Sequence, residues 1–431
     1  MSRKSAESAD ASDAPEVPSP GVTEVTDNSD RPSEDLTLRL STVKLERFKA
    51  AFTPEEIPLR PFSVLIGRNG SGKSTLLEAL QWLDATIRRD AREASDRYFG
   101  IHDLINLRSQ TKTPFFELTV RWACIFGDGG NAGSLSYRVR VEEAEGNVPR
   151  IAAETLWGDR EGGESHTYVQ THDDGSRLLL DSQLMIRDPD RLSLGVLSSL
   201  TREPSSDPYL LALSDFWSRA VFLRLSPNRL AESSAASRRS FDPLLDEEGQ
   251  KLAALLDELG EDERAELVQA IQRALPDIRD IEVVKAGVER EARLNYKLLE
   301  RMPYRGRTGR YQVPIPSWML SEGTRRLTAI LALLVRQPGP TLLCVEEIEN
   351  GLDPWNVLEV LNALRDATLS GVQVIITTHS PWILDHVELE DITQVRRVEG
   401  ETRYESFKSR EEVAQFVDSI PPGTRYVHSS S

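Results

Sequence analysis

The chain has 431 residues, of which 52 are Lys or Arg and 69 are Asp or Glu, so its formal net charge is −17. Hydrophobic residues make up 39% of it, a proportion typical of a folded globular protein. The two cysteines are too few for a disulfide framework or a cysteine-based zinc site. The longest apolar run, residues 327–335, is too short to span a bilayer, and the sequence does not open on an apolar signal segment. We therefore expect a cytoplasmic protein without a membrane segment and without a uniformly basic surface for nucleic acid.

The first 35 residues are rich in Ser, Ala, Asp, Glu and Pro and nearly free of large apolar side chains. Three basic residues stand against nine acidic ones, so this segment contributes −6 of the net charge. Such a segment cannot bury enough surface to offset the entropy lost on ordering. We expect residues 1–35 to be a disordered, solubilising acidic tail.

A strand, a glycine-rich loop and a helix follow in that order. Residues 38–45 alternate apolar with polar side chains, which predicts a half-buried strand. Residues 62–66 form a short apolar run suited to a buried strand, and Gly67 ends it. From Ser74 onward the leucines recur at helical spacing.

Residues 67–74 read Gly-Arg-Asn-Gly-Ser-Gly-Lys-Ser and fit the pattern G-x-x-x-x-G-K-[ST] without deviation. The glycines let the backbone curl so that successive N–H groups point at one anion, and the helix N-terminus adds partial positive charge. Lys73 is placed to bridge the β- and γ-phosphates, and the Ser74 hydroxyl is placed to bind Mg²⁺. The loop predicts a nucleoside-triphosphate site with ATP and Mg²⁺ as its ligands.

The middle of the chain is less regular. Strand-like segments occur at residues 115–124, 136–141 and 221–225, separated by loops rich in Gly and Asp. Residues 252–275 have the apolar spacing of a helix, which Gly260 is expected to break in two. The sequence has no internal repeat and no sustained heptads, so we expect no long coiled-coil arm.

The final third returns to strands that alternate with helices, which is typical of α/β architecture with a largely parallel sheet. The predicted strands are residues 341–345, 372–377, 392–398 and 403–407, and the predicted helices are residues 327–335, 355–367, 381–385 and 410–418.

The first of these strands ends in two carboxylates, Glu346 and Glu347. A strand that ends beside the phosphate loop places one acid near Mg²⁺ and the next near the water that attacks the γ-phosphate. We therefore expect Glu346 to be a metal ligand and Glu347 to accept a proton from that water. Asp is more usual than Glu at the metal-side position, and the pair by itself is equally consistent with a solvated strand end.

Three short motifs surround the acidic pair. Ser321 and Gly323 open a predicted helix and by themselves are an ordinary N-cap. Residues 349–354 read Glu-Asn-Gly-Leu-Asp-Pro and predict a tight turn into a helix, with Asp353 in the turn. His379 follows a buried strand beside the predicted nucleotide site, although a lone histidine is more often structural than catalytic.

Five motifs follow one another along the chain: the phosphate loop, Leu-Ser-x-Gly, the acidic strand end, the aspartate turn and the strand-end histidine. In this order they resemble the motifs of the ABC-class ATPases. More narrowly, the motifs are similar to those of AAA-domain proteins of the OLD and RecF-like branch, at residues 67–75, 320–327, 346–354 and 377–381. The resemblance implies a head-to-tail homodimer with two ATP molecules at its interface. It leaves open whether such dimers assemble into a higher oligomer.

The resemblance also implies which residues contact the nucleotide. They come from both subunits: Gly67, Asn69, Gly70, Gly72, Lys73, Ser74 and Thr75 from one, and Ser321 and Gly323 from its partner. His379 would hold the γ-phosphate or the attacking water, and Asp353 would lie where the subunits meet. Family members carry a glutamine between the two lobes, for which Gln110 is the candidate; it equally suits a surface loop.

We expect an α/β fold, a P-loop ABC-type ATPase head with a mixed sheet and an inserted, largely helical lid subdomain. OLD-type proteins often carry a C-terminal Toprim nuclease domain, and too few residues follow His379 for one. The predicted parts are the tail at residues 1–35, ATPase lobes at residues 36–84 and 315–400, an inserted β and helical subdomain at residues 85–314, and a C-terminal strand, helix and tail at residues 401–431.

One segment runs against the acidic balance. From Lys285 to Arg310, eight basic residues stand against three acidic ones, with Tyr296 and Tyr304 between them and Tyr311 directly after them. This combination suits phosphate contact and base stacking, so the segment is a candidate for binding nucleic acid. The alternatives are a solvated strand pair and a site for an acidic protein.

The favoured function is an ATPase that dimerises on ATP and drives or gates a separate effector, such as a nuclease or toxin. The resemblance alone implies that this takes place in bacterial anti-phage defence. Two alternatives stay open: a RecF-like repair protein that binds DNA itself, and a slowly hydrolysing, ATP-held scaffold that sequesters an effector. Salt-sensitive DNA binding would favour the first, and co-purification with a partner without DNA binding would favour the second.

Overall fold

The computed structural model describes residues 36–108, 111–127, 129–160, 163, 165–172, 176–179, 184–186, 188–200, 207–235, 242–286, 292–302, 311–409 and 420–429. The predicted tail, Gln110 and the predicted helix at residues 410–418 lie outside the described residues. So do residues 287–291 and 303–310 of the predicted basic segment.

Strands and helices alternate over much of the described chain. The strands are β1 Thr37–Glu46, β2 Glu55–Pro58, β3 Phe62–Ile66, β4 Phe115–Ile125, β5 Asn131–Ala144, β6 Val148–Arg160, β7 Ser165–Thr171, β8 Arg177–Leu179, β9 Leu184–Ile186, β10 Val221–Leu223, β11 Ser234–Ala235, β12 Ile278–Ala286, β13 Arg293–Met302, β14 Tyr311–Pro316, β15 Leu342–Val345, β16 Gln373–Thr378, β17 Ile392–Val398 and β18 Glu401–Ser406. The helices are α1 Lys73–Arg88, α2 Ala91–Asp96, α3 Ser193–Leu200, α4 Pro208–Ser218, α5 Pro227–Ala231, α6 Leu252–Glu258, α7 Glu261–Ala274, α8 Glu322–Val335, α9 Pro354–Leu369, α10 Pro381–Leu384 and α11 Pro422–Ser429.

Strands from both sides of the phosphate loop form an eight-stranded antiparallel sheet in the order β2-β1-β4-β5-β6-β7-β8-β9. Along β1, the buried side chains of Leu38, Leu40, Val43 and Leu45 are separated by more exposed residues, as the alternation predicts. The strands β4 to β9, which the sequence assigns to an inserted subdomain, thus continue the sheet of the first predicted lobe, with β4 hydrogen-bonded to β1.

A second sheet has the order β10-β15-β16-β3-β17-β18 and is parallel through β17, with β18 antiparallel at its edge. The strands β3, β15 and β16 are buried along their whole length, as their continuous apolar runs predict. This sheet and its helices confirm the predicted α/β architecture. Because neighbouring parallel strands end at the same edge, the residues that follow β3, β15 and β16 are neighbours in space.

A third sheet is built on β13, which pairs antiparallel with β11, β12 and β14. The helices α6 and α7 lie between β11 and β12 in the chain, and the predicted break at Gly260 is confirmed, since α6 ends at Glu258 and α7 begins at Glu261. The backbone N–H of Gly260 donates to the Glu263 carboxylate at 2.7 Å, so the second helix starts with its own cap.

The six-stranded sheet is buried on both faces, and its strands contribute to two apolar clusters. In β3, Leu65 belongs to the cluster that contains the leucines of α1, while Val64 and Ile66 belong to the cluster that contains α8 and α9. Burying one such side chain contributes about 1.5–3 kcal/mol to the free energy of folding. The carboxyl edge of the sheet is therefore held between two packed layers.

Candidate functional site

The phosphate loop joins β3 to α1 and is held from one side by β18. The Thr402 hydroxyl donates to the Ser71 carbonyl at 2.9 Å, and the Tyr404 hydroxyl donates to the Gly72 carbonyl at 3.1 Å. Gly72 has φ +99°, and a Cβ there would lie 2.1 Å from Thr402 Oγ1, so the position requires glycine. The chain therefore enters α1 along one path, which places the first N–H groups of that helix at the loop.

Lys73 folds back over this loop. Its ammonium donates to the carbonyl of Gly67 at 2.7 Å and to that of Arg68 at 3.2 Å. Burial lowers the pKa of Lys73, while the charges of nearby carboxylates, Glu347 first among them, act in the opposite direction. Ser71 Oγ is buried and has no hydrogen-bond partner among the described residues. A buried cation and an unsatisfied hydroxyl beside a curled glycine loop fit the phosphates of a nucleotide.

The other predicted residues of this loop lie on either side of Lys73. Asn69 and Gly70 line a cleft of about 310 Å³ together with the end of β17. Thr75, in the first turn of α1, is buried. The seven residues of the predicted phosphate loop therefore run from the end of β3 into the first turn of α1.

Ser74 and Glu346 bring two oxygen ligands together. The Ser74 hydroxyl donates to Glu346 Oε2 at 3.3 Å. Burial raises the pKa of Glu346, against the opposing charge of Arg224. Hydroxyl and carboxylate oxygens are the donors that Mg²⁺ prefers, so this pair fits the predicted ion. The described residues hold no group of three or more His, Cys, Asp and Glu side chains arranged for a metal.

Glu347 follows Glu346 directly. Its backbone has φ +48°, a conformation that residues other than glycine rarely adopt. Its N–H donates to Thr377 Oγ1 at 2.9 Å, which ties the acidic strand end to β16. The side-chain amide of Asn350 donates to the Glu347 carboxylate. Sequence reasoning missed Asn350, because nothing in the turn motif singles it out.

His379 follows β16 and is held by Glu349. His379 Nδ1 lies 3.1 Å from Glu349 Oε1, and the His379 side chain is 46% exposed. The same carboxylate oxygen accepts the backbone N–H of His379 at 2.8 Å. In the sequence, Glu349 is only the first residue of a turn, so this contact was not predicted.

The predicted signature residues begin α8. Ser321 is its N-cap, since Ser321 Oγ accepts the N–H of Thr324 at 3.1 Å. Gly323 packs closely on the aspartate turn, because a Cβ at Gly323 would lie 2.7 Å from the Gly351 carbonyl oxygen. The structure thus places this motif against the turn that follows the acidic pair.

Arg326 links the signature helix to the acidic pair. Its guanidinium donates to Glu322 at 3.1 Å, and it lines a cleft of about 460 Å³ together with Glu346 and Glu347. Burial lowers the pKa of Arg326, opposed by Glu322. Its position one turn into α8 gave no signal in the sequence.

Asp353 is the N-cap of α9, as the predicted turn requires. Its carboxylate accepts the N–H groups of Trp355 at 3.0 Å and Asn356 at 3.1 Å. Trp355 is 79% exposed, so an aromatic side chain projects from the surface beside this turn.

The basic segment from Lys285 to Arg310 is described only in part, in β12 and β13. Tyr296 is fully buried in the core below β13, so the prediction that it stacks on a base is wrong. The alternation of β13 turns this residue inward, where apolar contacts hold its ring. Tyr304 and Gln110 lie outside the described residues.

None of the helices in the part of the chain described here is long and apolar enough to cross a membrane.

A glycine loop between a parallel strand and a helix, with carboxylates and a histidine after neighbouring strands, defines a P-loop ATPase of the ABC/AAA class. The family described as "AAA domain, putative AbiEii toxin, Type IV TA system" matches residues 62–385. The chain belongs to this family.

Two solved structures share the fold. The Smc head bound to the C-winged helix domain of ScpA superposes with a TM-score of 0.50 at 16% identity, covering 85% of this chain and 97% of that one. The Smc head domain with an extended coiled coil bound to the C-terminal domain of ScpA, derived from Pyrococcus furiosus, gives 0.50 at 13% identity, covering 88% of this chain and 100% of that one. At these identities the likeness shows the fold alone.

A curated relative is similar over a short stretch. The energy-coupling factor transporter ATP-binding protein EcfA2 of Mycoplasmopsis synoviae (strain 53) is 41% identical over 68 residues, which are 16% of this chain and 20% of that protein. The chain thus matches about a fifth of the length of that relative.

Proposed function

We propose that this protein binds ATP and hydrolyses it to ADP and phosphate. The observation that carries the proposal is the meeting of three segments at the carboxyl edge of the parallel sheet. They are the phosphate loop after β3, the carboxylates after β15 and the histidine after β16. Their side chains supply a phosphate cradle, a metal ligand and a base within one site.

Different residues of the chain have different roles in hydrolysis. The loop N–H groups and Lys73 bind the phosphates and hold the γ-phosphorus in place. Glu347 orients a water and takes its proton as the water oxygen bonds to that phosphorus. The bond from the γ-phosphorus to the bridging oxygen breaks, and its electron pair leaves with ADP. His379 holds the γ-phosphate or the attacking water.

Mg²⁺, when bound, would screen the charge on the phosphates. Ser74 and Glu346 are the residues that would hold it, because their oxygens lie 3.3 Å apart beside the loop. Glu346 is then the metal-side acid, in a position where Asp is more usual.

We further propose that two chains form the complete site head to tail. Ser321 is exposed at the N-terminus of α8, where its hydroxyl accepts the N–H of Thr324, and Gly323 of the same motif packs on the aspartate turn of its own chain. A helix N-terminus of this kind suits the γ-phosphate of a nucleotide bound to a second chain. The exposed Trp355 beside Asp353 offers an aromatic contact for the same interface.

For the biological role, we propose that the ATP state of the dimer gates a separate effector protein, as in anti-phage systems of the OLD and RecF-like branch. A head of the same fold, the Smc head, is bound to a protein partner, a domain of ScpA, which supports a protein partner here. Direct DNA binding is less well supported, because Tyr296, one of the aromatic residues that suited base stacking, is buried.

The test compares Glu347→Gln with wild type and with Asp366→Asn, a matched change at an exposed acid on α9. We expect Glu347→Gln to lower kcat by about 100-fold or more while ATP binding persists, because the base is lost and the loop is intact. ATP should then trap a dimer, measured by light scattering during gel filtration. Unchanged kcat would refute the role of Glu347, and absence of ATP binding by the wild type would refute the proposed function.

A further inference from the structure

We infer that Glu349 is the positioning residue for His379, fixing both the place of its ring and the nitrogen that carries its proton. The inference rests on the proposed ATPase function. Glu349 follows the acidic pair by two residues and is separated from His379 by 30 positions in the sequence. The turn after β15 therefore reaches across to the turn after β16.

One carboxylate oxygen of Glu349 joins these two turns. Glu349 Oε1 accepts the Thr378 hydroxyl at 2.9 Å, the His379 N–H at 2.8 Å and the Ser380 N–H at 3.1 Å. The ring nitrogen His379 Nδ1 lies 3.1 Å from the same atom. The backbone and the ring of His379 are thus held by a single acceptor.

The chemistry of that acceptor decides the state of the ring. An ionised carboxylate has no proton to donate, so the ring bonds to it only when Nδ1 carries a proton. The other nitrogen, Nε2, then remains for the nucleotide or the attacking water. It accepts a hydrogen bond when the ring is neutral and donates one when the ring is charged.

A purely structural role accounts poorly for a carboxylate at this position. Glu349 Oε2 is buried and has no hydrogen-bond partner within the described part of the chain. A neutral side chain with one acceptor oxygen would satisfy the hydroxyl and both N–H groups without burying a second, unpaired oxygen. The feature that only the carboxylate adds is negative charge beside the His379 ring, which strengthens the bond from Nδ1 and holds the ring in one orientation.

The kinetic test uses the full chain with Glu349→Ala, Glu349→Gln, His379→Ala and the double variant of Glu349→Ala with His379→Ala. Asp366→Ala, an exposed acid on α9, is the matched control. We expect Glu349→Ala to lower kcat by about 10- to 100-fold with KM changed less than about threefold, because the ring is lost from its place while the phosphate loop is intact. Glu349→Gln, which keeps an acceptor oxygen, should recover part of the loss.

The double variant distinguishes positioning from an independent role. If Glu349 acts through His379, the double variant is no slower than His379→Ala alone. Losses that multiply in the double variant would overturn the inference, as would a rise in KM with kcat unchanged.

A second readout is independent of hydrolysis. Nitrogen NMR of ¹⁵N-histidine in the nucleotide-free protein, with the His379 signal assigned from His379→Ala, reports which ring nitrogen is protonated. We expect a proton on Nδ1 in the wild type and in Glu349→Gln, and a mixture of tautomers in Glu349→Ala. A wild-type ring protonated on Nε2 alone would overturn the inference, even if Glu349→Ala does not fold. If the wild type shows the Nδ1 proton but hydrolyses no ATP, the proposed function fails while the contact stands.

Discussion

The close contact between Gly72 and β18 predicts that alanine at this position is strongly destabilising. Alanine at φ +99° adopts a left-handed backbone, which costs about 1–2 kcal/mol. Its Cβ would lie 2.1 Å from Thr402 Oγ1 and 2.8 Å from Thr402 Cγ2, and relieving such overlap costs about 1–3 kcal/mol. We therefore expect Gly72→Ala to lower the free energy of unfolding by about 2–5 kcal/mol.

Gly70→Ala is the matched control, since Gly70 has φ +75° but no atom within 4 Å of the added Cβ. Gly70→Ala measures only the cost of the left-handed backbone, so we expect it to lower the free energy of unfolding by about 1–2 kcal/mol. Thr402→Ala alone removes the hydrogen bond to the Ser71 carbonyl and should lose about 0.5–1.5 kcal/mol. In the Gly72→Ala background, the same change removes the two closest atoms and should restore stability.

The measurement is urea unfolding of the full chain at equilibrium, followed by tryptophan fluorescence and analysed as a double-mutant cycle. A coupling of about 1–3 kcal/mol between positions 72 and 402 is expected. Equal losses for Gly70→Ala and Gly72→Ala, or additive effects of Gly72→Ala and Thr402→Ala, would show that the contact with β18 does not determine the residue at position 72.

Three further outcomes are expected. Asn350→Ala should lower kcat by about 3- to 10-fold in a phosphate-release assay without weakening ATP binding, because its amide holds the candidate catalytic carboxylate; an unchanged kcat would contradict this role. Glu154→Ala should lower the free energy of urea unfolding by about 3–5 kcal/mol, because the buried charge of Arg177, 2.9 Å from that carboxylate, loses this ion pair; a loss below about 1 kcal/mol would contradict it. Burial raises the pKa of the Cys124 thiol to about 12 and that of Cys344 well above its usual range, so neither should react with a colorimetric thiol reagent near pH 8 until urea unfolds the chain; rapid reaction of the folded protein would refute this.

The parts of the structure that depend on contiguous residues could be predicted from the sequence. The phosphate loop, the buried strands and the helix break at Gly260 each follow from a local pattern of glycines or apolar side chains. Contacts between distant segments could not be predicted. Thr402 holds Ser71 across 331 positions, and Glu349 holds His379 across 30, and neither pair has a local signature.

The error at Tyr296 has a similar cause. A count of basic and aromatic residues ignores the strand period, which turns every second side chain of β13 toward the core. Tyr296 is on the inward face, and its neighbours Asn295 and Lys297 are on the other. A count of aromatic residues therefore overestimates the exposed aromatic surface of a strand whenever those residues fall at its buried positions.

The departures from ordinary folding rules support placing the site at the carboxyl edge of the parallel sheet. Glu347 has a positive φ, Lys73 is a buried and Glu346 a partly buried ionisable group, and Glu349 buries an unpaired carboxylate oxygen. Each arrangement costs free energy that apolar packing elsewhere must offset, since strained backbone and desolvated charge both oppose folding. Segments far apart in sequence place all four at one edge, where a bound triphosphate would satisfy Lys73 and a metal would neutralise Glu346. The same residues that weaken the fold are therefore those that the proposed ATPase site uses.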